Sequence, residues 1–190
     1  LYLAMLATIK PLKHPPIPYE DFRPHVSEGT ESMLRASLNI DAPHLVPDAI
    51  RQSFLNHYQR LLTRKTNYFP GMLDVLDYFD QQAILWGIVT NKPHCLTTPI
   101  LAHFGLDKRS QCVVSGDTLS RKKPFPDPLL HACQQMKTDP GQAFYLGDAE
   151  CDVKAAKAAV MTSIAATYGY HTPENQPANW GADHLITKPL

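Results

Sequence analysis

The sequence carries no net charge, because its 18 basic and 18 acidic residues balance with His counted as neutral. That balance removes the broad positive field of a nucleic-acid binder and any electrostatic case for an anionic membrane as partner. No apolar run approaches the roughly 20 residues that a bilayer span needs. The apolar start LYLAMLATI has no basic segment ahead of it and no small-residue cleavage site behind it, so it does not read as a signal peptide. Cysteine is sparse, and Cys95, Cys112, Cys133 and Cys151 form no C-x-x-C pair. A chain of 190 residues does not need disulfides to hold a core, so reduced thiols and a cytoplasmic location are the expectation. His131 and Cys133 lie two positions apart, which on a helix turns them to different sides, and they make a poor zinc pair.

What is present is ordinary globular material: 44% hydrophobic and 19% charged residues, enough for one domain or a core with a small accessory domain. Residues 1–69 contain no convincing strand. They read as helices over 1–10, about 28–38 and 48–64, the last with Ile50, Phe54, Tyr58 and Leu61 at helical spacing. Five prolines between Pro11 and Pro24 predict an irregular connection. From Pro70 the texture changes. After a helix with Met72, Val75, Leu76 and Phe79 on one face, apolar runs at 83–90, 111–116, 143–148, 162–168 and 183–187 alternate with helices at 94–104, 127–136 and 150–159. Short continuous apolar runs between helices predict an α/β fold, a Rossmann-like parallel sheet covered on both faces. Ligands of such sheets bind beyond the carboxyl ends of the strands.

Three groups of polar residues stand at those ends. Thr90 and Asn91 offer a hydroxyl and backbone amides to a phosphate oxygen, or equally serve as the cap of the helix at 94–104. In Lys122-Lys123-Pro124-Phe125-Pro126-Asp127-Pro128 the prolines predict an extended path that fixes a preceding lysine; a fixed ammonium neutralises phosphate, whereas the plainer reading is a solvated basic loop. Asp148 and Asp152 lie one helical turn apart after Gly147, a spacing that suits magnesium, with capping of the next helix as the alternative.

The strings VTNKP (89–93), KPFPDPLL (123–130) and YLGDAECD (145–152) resemble, in order, the second, third and fourth motifs of the haloacid dehalogenase superfamily. The phosphoglycolate phosphatase-like branch is the nearest in pattern, and the stretch from Tyr168 to Leu190 is similar to the subgroup that includes N-acetylmuramic acid 6-phosphate phosphatases. The resemblance implies a Rossmann-like core at 70–190, with residues 1–69 as a helical cap that begins inside its first helix. It also implies a magnesium-dependent phosphomonoester hydrolase acting on a small phosphorylated metabolite through a phosphoaspartate. Under it, Thr90 and Asn91 bind the phosphoryl group, Lys123 holds phosphate and nucleophile, and Asp148 and Asp152 serve Mg2+. Arg23, His25 and Gly29 are the cap positions for substrate specificity: Arg suits a carboxylate and Gly29 a close backbone approach, although a surface loop with Ser27 capping the next helix fits as well.

One part of the pattern is missing. The family's first motif, a strand ending in D-x-D-G-T that supplies the nucleophile, occurs nowhere in the chain, and Asp21, Asp41 and Asp48 all fall in the helical part. The expectation is therefore a core without its first strand, a nucleophile upstream of residue 1, and no phosphatase activity from these residues alone. A final helix beyond Leu190 is expected on the same comparison. Three other readings remain: a sugar phosphate substrate, a receiver-type signalling domain (against which the helical segment and K-P-x-P string speak), and a non-catalytic binding protein. The sequence is silent on oligomeric state. Trp180 reads as a packing residue.

Overall fold

Prolines punctuate the first third of the chain, and its helices start and stop around them. The computed structural model describes residues 1–41 and 46–190. The chain divides into one unit of Leu1–Thr66 with Tyr170–Glu174, and a second of Asn67–Gly169 with Asn175–Leu190. The segment 170–174 thus groups with the helical part, although the sequence assigns it to the core.

In the helical unit, α1 (Tyr2–Ile9) runs into a 3-10 turn at Lys10–Leu12 and packs along α4 (Asp48–Leu61). Met5, Phe22, Leu34 and Phe54 fill the space between elements, all nearly inaccessible. The proline-rich connection is more ordered than its composition suggests. It contains α2 (Tyr19–Phe22) and a 3-10 turn at Arg23–Val26, each beginning at or beside a proline whose fixed φ suits a first helical turn. Next comes α3 (Thr30–Leu38), whose N-cap is Gly29; Ser27 gives no side-chain cap, contrary to the sequence reading.

In the second unit, α5 (Met72–Gln81) starts after Gly71, which sits at φ +85°, so the cap falls one residue beyond Pro70. Then follow β1 (Ile88–Val89), α6 (His94–Phe104), α7 (Leu106–Arg109), β2 (Val113–Val114), α8 (Asp127–Met136), β3 (Phe144–Gly147), α9 (Glu150–Ala158), β4 (Thr162–Ala166) and β5 (His184–Ile186). The alternation predicted from sequence is present and every pairing is parallel. The strands are shorter than the apolar runs that encode them, and only Ile88 and Val89 of 83–90 join a ladder. Ahead of them the Trp86 amide bonds instead to the Gln111 side chain, 2.8 Å away.

Among the described residues the strands form two sheets, β1-β2 and β3-β4-β5. The break falls between the strands that lead to Thr90 and to Asp148. Ile88 and Thr90 donate their amides to the carbonyls of Cys112 and Val114, so the carbonyl of Val89 points away from β2 and into the break. A layer of Leu129 and Cys133 from α8 with Ala155 and Ala156 from α9 and Ala159 just after it packs against Val89 and Tyr145 on either side of it. Small alanines on α9 let the helix approach the strands closely. No helix among the described residues is long and apolar enough to cross a membrane.

Candidate active site

The turn after β1 is held by its own polar side chains. Thr90 Oγ1 accepts from the Lys92 amide at 3.1 Å, and Asn91 reaches across to residue 123. Asn91 Nδ2 donates to the Lys123 carbonyl at 3.0 Å, and the Lys123 amide donates to Asn91 Oδ1 at 3.1 Å. This two-way clip excludes the capping role considered for Thr90 and Asn91. The cap of α6 comes from Asp117, whose Oδ1 accepts from the His94 amide at 2.8 Å.

The clip, rather than an extended proline run, is what fixes Lys123. The residues after it form a turn, with the Phe125 amide bonded to the Lys122 carbonyl at 3.0 Å, and Pro126 adopts helical angles ahead of α8. Proline fixes φ and leaves ψ open, so three prolines do not compel an extended chain.

Lys123 then buries its ammonium, with 8% of the residue exposed, beside Asp152 at 5%. Lys123 Nζ donates to Asp152 Oδ1 at 2.6 Å, to the Tyr145 hydroxyl at 2.8 Å and to the Val89 carbonyl at 3.2 Å. Burial works against this charge, but Tyr145 and Asp152 outweigh it and hold the Lys123 pKa above the ordinary lysine value. Burial likewise raises the Tyr145 phenol, against the pull of Lys123. The lysine is therefore charged and the phenol neutral at neutral pH.

The second Asp152 oxygen accepts from the Ala149 amide at 3.0 Å, so this carboxylate caps the start of α9 while it pairs with Lys123. Gly147 makes that possible: a Cβ there would lie 2.3 Å from Asp152 Cβ. Asp148 follows directly at the carboxyl end of β3, and Gly169 leaves room for it in the same way, an added Cβ falling 2.2 Å from Asp148 Cβ. Its charge is close enough to add to the effect of burial in raising the pKa of Tyr168, and burial chiefly raises that of Cys151. The four thiols are free, and Cys112 and Cys133 are held neutral by burial.

A magnesium ion that keeps waters and takes substrate oxygens needs only one or two carboxylates from the protein. No group of three or more His, Cys, Asp or Glu side chains placed to hold a metal occurs among the described residues. The donor set suits such an ion through Asp148, while Asp152 spends its oxygens on Lys123, Tyr145 and the Ala149 amide.

Arg23, His25 and Gly29 belong to the helical unit. The Arg23 guanidinium lies 4.8 Å from the centre of the Tyr170 ring. Ser32 Oγ donates to Glu28 at 2.5 Å and is 2.9 Å from His25 Nδ1, so the imidazole must supply the proton of the second bond. Gly29 sits at φ +90°. Tyr145, Asp117, Tyr170 and Ser32 were not among the residues singled out from sequence. For Tyr145 a signal existed: it stands two residues before Gly147 and so shares its face of the strand.

Known proteins resemble the chain along most of its length. The model of the haloacid dehalogenase-like hydrolase family matches residues 1–166. An N-acetylmuramic acid 6-phosphate phosphatase of Pseudomonas aeruginosa is 36% identical over 177 residues, covering 92% of this chain and 77% of the relative. A phosphoglycolate phosphatase of Xanthomonas campestris is 37% identical over 190 residues, covering 97% and 85%. Among solved structures, a predicted phosphoglycolate phosphatase from Haemophilus somnus superimposes with a TM-score of 0.83 at 23% identity, covering 98% of this chain and 86% of that one. CbbY from Rhodobacter sphaeroides in complex with phosphate gives 0.71 at 21%, with the same coverage. At these identities the structures speak for the fold alone; the family match and the curated relatives place the chain among the haloacid dehalogenase-like hydrolases.

Proposed function

We propose that the chain carries the phosphate-binding and metal-binding parts of a magnesium-dependent phosphomonoester hydrolase of the 2-phosphoglycolate type. The observation that carries this reading is the fixed, charged Lys123, clipped by Asn91 next to Thr90 and paired with the carboxylate that caps α9 below Asp148. Thr90 and Asn91 bind phosphoryl oxygens, and Lys123 neutralises them. Asp148 holds Mg2+, which supplies further charge neutralisation when bound, and Asp152 supports it by orienting Lys123. Arg23, His25 and Gly29 set specificity from the cap. The nucleophilic aspartate of the phosphoaspartate route lies upstream of residue 1, on a strand that fills the break between β1 and β3.

N-acetylmuramic acid 6-phosphate is the second reading of the substrate, favoured by the relative from Pseudomonas; identities of 36% and 37% do not separate the two. The test is phosphate release by the natural full-length protein from a panel holding both compounds. Hydrolysis of 2-phosphoglycolate with the higher kcat/KM, abolished by chelating Mg2+, is expected, and the polypeptide of residues 1–190 alone should release none. A preference for the sugar phosphate would transfer the assignment. Turnover by residues 1–190 alone would overturn the upstream nucleophile.

A further inference from the structure

The backbone of Arg23 is fixed on both sides. Its amide donates to the Tyr19 carbonyl at the end of α2, Phe22 before it is fully buried, and Pro24 after it locks the next φ. A long flexible stem still separates that backbone from the guanidinium, so a fixed backbone does not by itself aim the head group. The guanidinium carbon lies 4.8 Å from the centre of the Tyr170 ring, within the range at which an aromatic face attracts a cation. Tyr170 opens the segment 170–174, which groups with the helical unit although the chain on both sides of it belongs to the second. The segment is anchored at each end of its ring-bearing part. Gly169 ahead of it is buried against Asp148, with no room for a Cβ, and Thr172 behind it is 7% exposed.

We infer that Tyr170 is a positioning residue for Arg23, its ring face holding the guanidinium in a fixed orientation for a carboxylate of the substrate. This rests on the reading of Arg23 as a specificity residue of the cap. A cation–π contact is made through the face of a guanidinium, whereas its bonds to a carboxylate are made by the N–H groups at its edge. The two uses of Arg23 therefore do not compete, and a guanidinium held by its face pays less entropy when its edge forms a two-bond fork. A carboxylate is also what the two substrate readings share. 2-Phosphoglycolate carries one beside its phosphoester, and N-acetylmuramic acid 6-phosphate carries one on its lactyl ether. Neither residue of the pair borders the break between β1 and β3. Arg23 lies in the helical unit, and β4, from which the chain runs on to Tyr170, is paired with a strand on each side. The contact thus stands apart from the strand proposed upstream.

The test uses the natural full-length protein with Mg2+ and reads a ratio: kcat/KM for a carboxylate-bearing substrate over kcat/KM for the same phosphomonoester without its carboxylate. The pairs are 2-phosphoglycolate with methyl phosphate, and N-acetylmuramic acid 6-phosphate with the same sugar phosphate lacking its lactyl ether. For the pair turned over faster, Tyr170→Leu should lower the ratio about fivefold, mainly through a higher KM for the carboxylate-bearing member, on the scale of one lost cation–π contact. Tyr170→Phe keeps an aromatic face and should stay within about twofold of wild type. In an Arg23→Gln background, where the ratio is already low, Tyr170→Leu should change it no further. A Tyr170→Leu loss that is equal for both members leaves the ratio unchanged, marks a purely structural role and overturns the inference. An effect that persists in the Arg23→Gln background overturns it too. A ratio that Arg23→Gln itself leaves unchanged would instead bring down the specificity reading of Arg23, and the role of Tyr170 with it.

Discussion

Three glycines near functional residues are there for different reasons. Gly147 and Gly169 yield their side-chain volume to Asp152 and Asp148, whereas a Cβ on Gly29 would meet nothing within 4 Å. At Gly29 the constraint is the backbone, at φ +90° and ψ −175°, a region essentially closed to residues with a Cβ. Gly29→Ala should therefore destabilise by about 1–3 kcal/mol in urea denaturation although no atom is crowded. Sequence alone shows Gly29 as a turn and Lys123 as a lysine fixed by what surrounds it. It hides Tyr145, because in the run AFYLG a tyrosine looks like one more apolar strand residue. Only its place two positions before Gly147 hints at a polar tip, and which lysine that tip meets depends on a turn 22 residues away.

Among the elements, the helices were the most legible: α6 and α8 begin and end where the apolar spacing and flanking residues put them. Strand lengths were not, because a ladder extends only as far as its neighbour does, and the neighbour is not written in the run itself. Caps made by distant side chains escaped for the same reason, as with Asp117 on α6. Another distant contact holds β5. Asp183 Oδ2 accepts from the Ser163 amide at 2.8 Å and from its hydroxyl at 2.6 Å, and the Asp183 amide donates back to Ser163 Oγ at 3.0 Å. These bonds lie next to the Ile164–His184 pairing of β4 with β5 and set its register. The Ser163 hydroxyl, then its amide, hold the Asp183 carboxyl below the usual aspartate range. A depressed folded pKa stabilises above the unfolded value of about 3.9 and loses that contribution as the pH falls through the folded value. Asp183→Asn should thus lower the urea midpoint at pH 7, and the gap to wild type should narrow below about pH 3.9. A gap that is the same at both pH values would contradict the assignment.

At the scale of the molecule, the two sheets of the second unit meet through polar atoms. Lys123 follows β2, bonds to the last carbonyl of β1 and pairs with Asp152 on the helix after β3. Removing the carboxylate leaves a buried ammonium without its counter-charge, so Asp152→Ala should cost about 3–5 kcal/mol, read from denaturant midpoints. A loss below about 1 kcal/mol would mean that solvent reaches the pair, as it does at surface salt bridges.

The break has another side to it. β3 pairs only with β4 among the described residues, and one of its own faces carries Phe144 and Leu146, 67% and 40% exposed. An unpaired strand with apolar neighbours is a template on which a second chain can add. In a concentrated solution of this polypeptide, copies would stack edge to edge there first. With no net charge, no long-range repulsion between copies opposes such pairing.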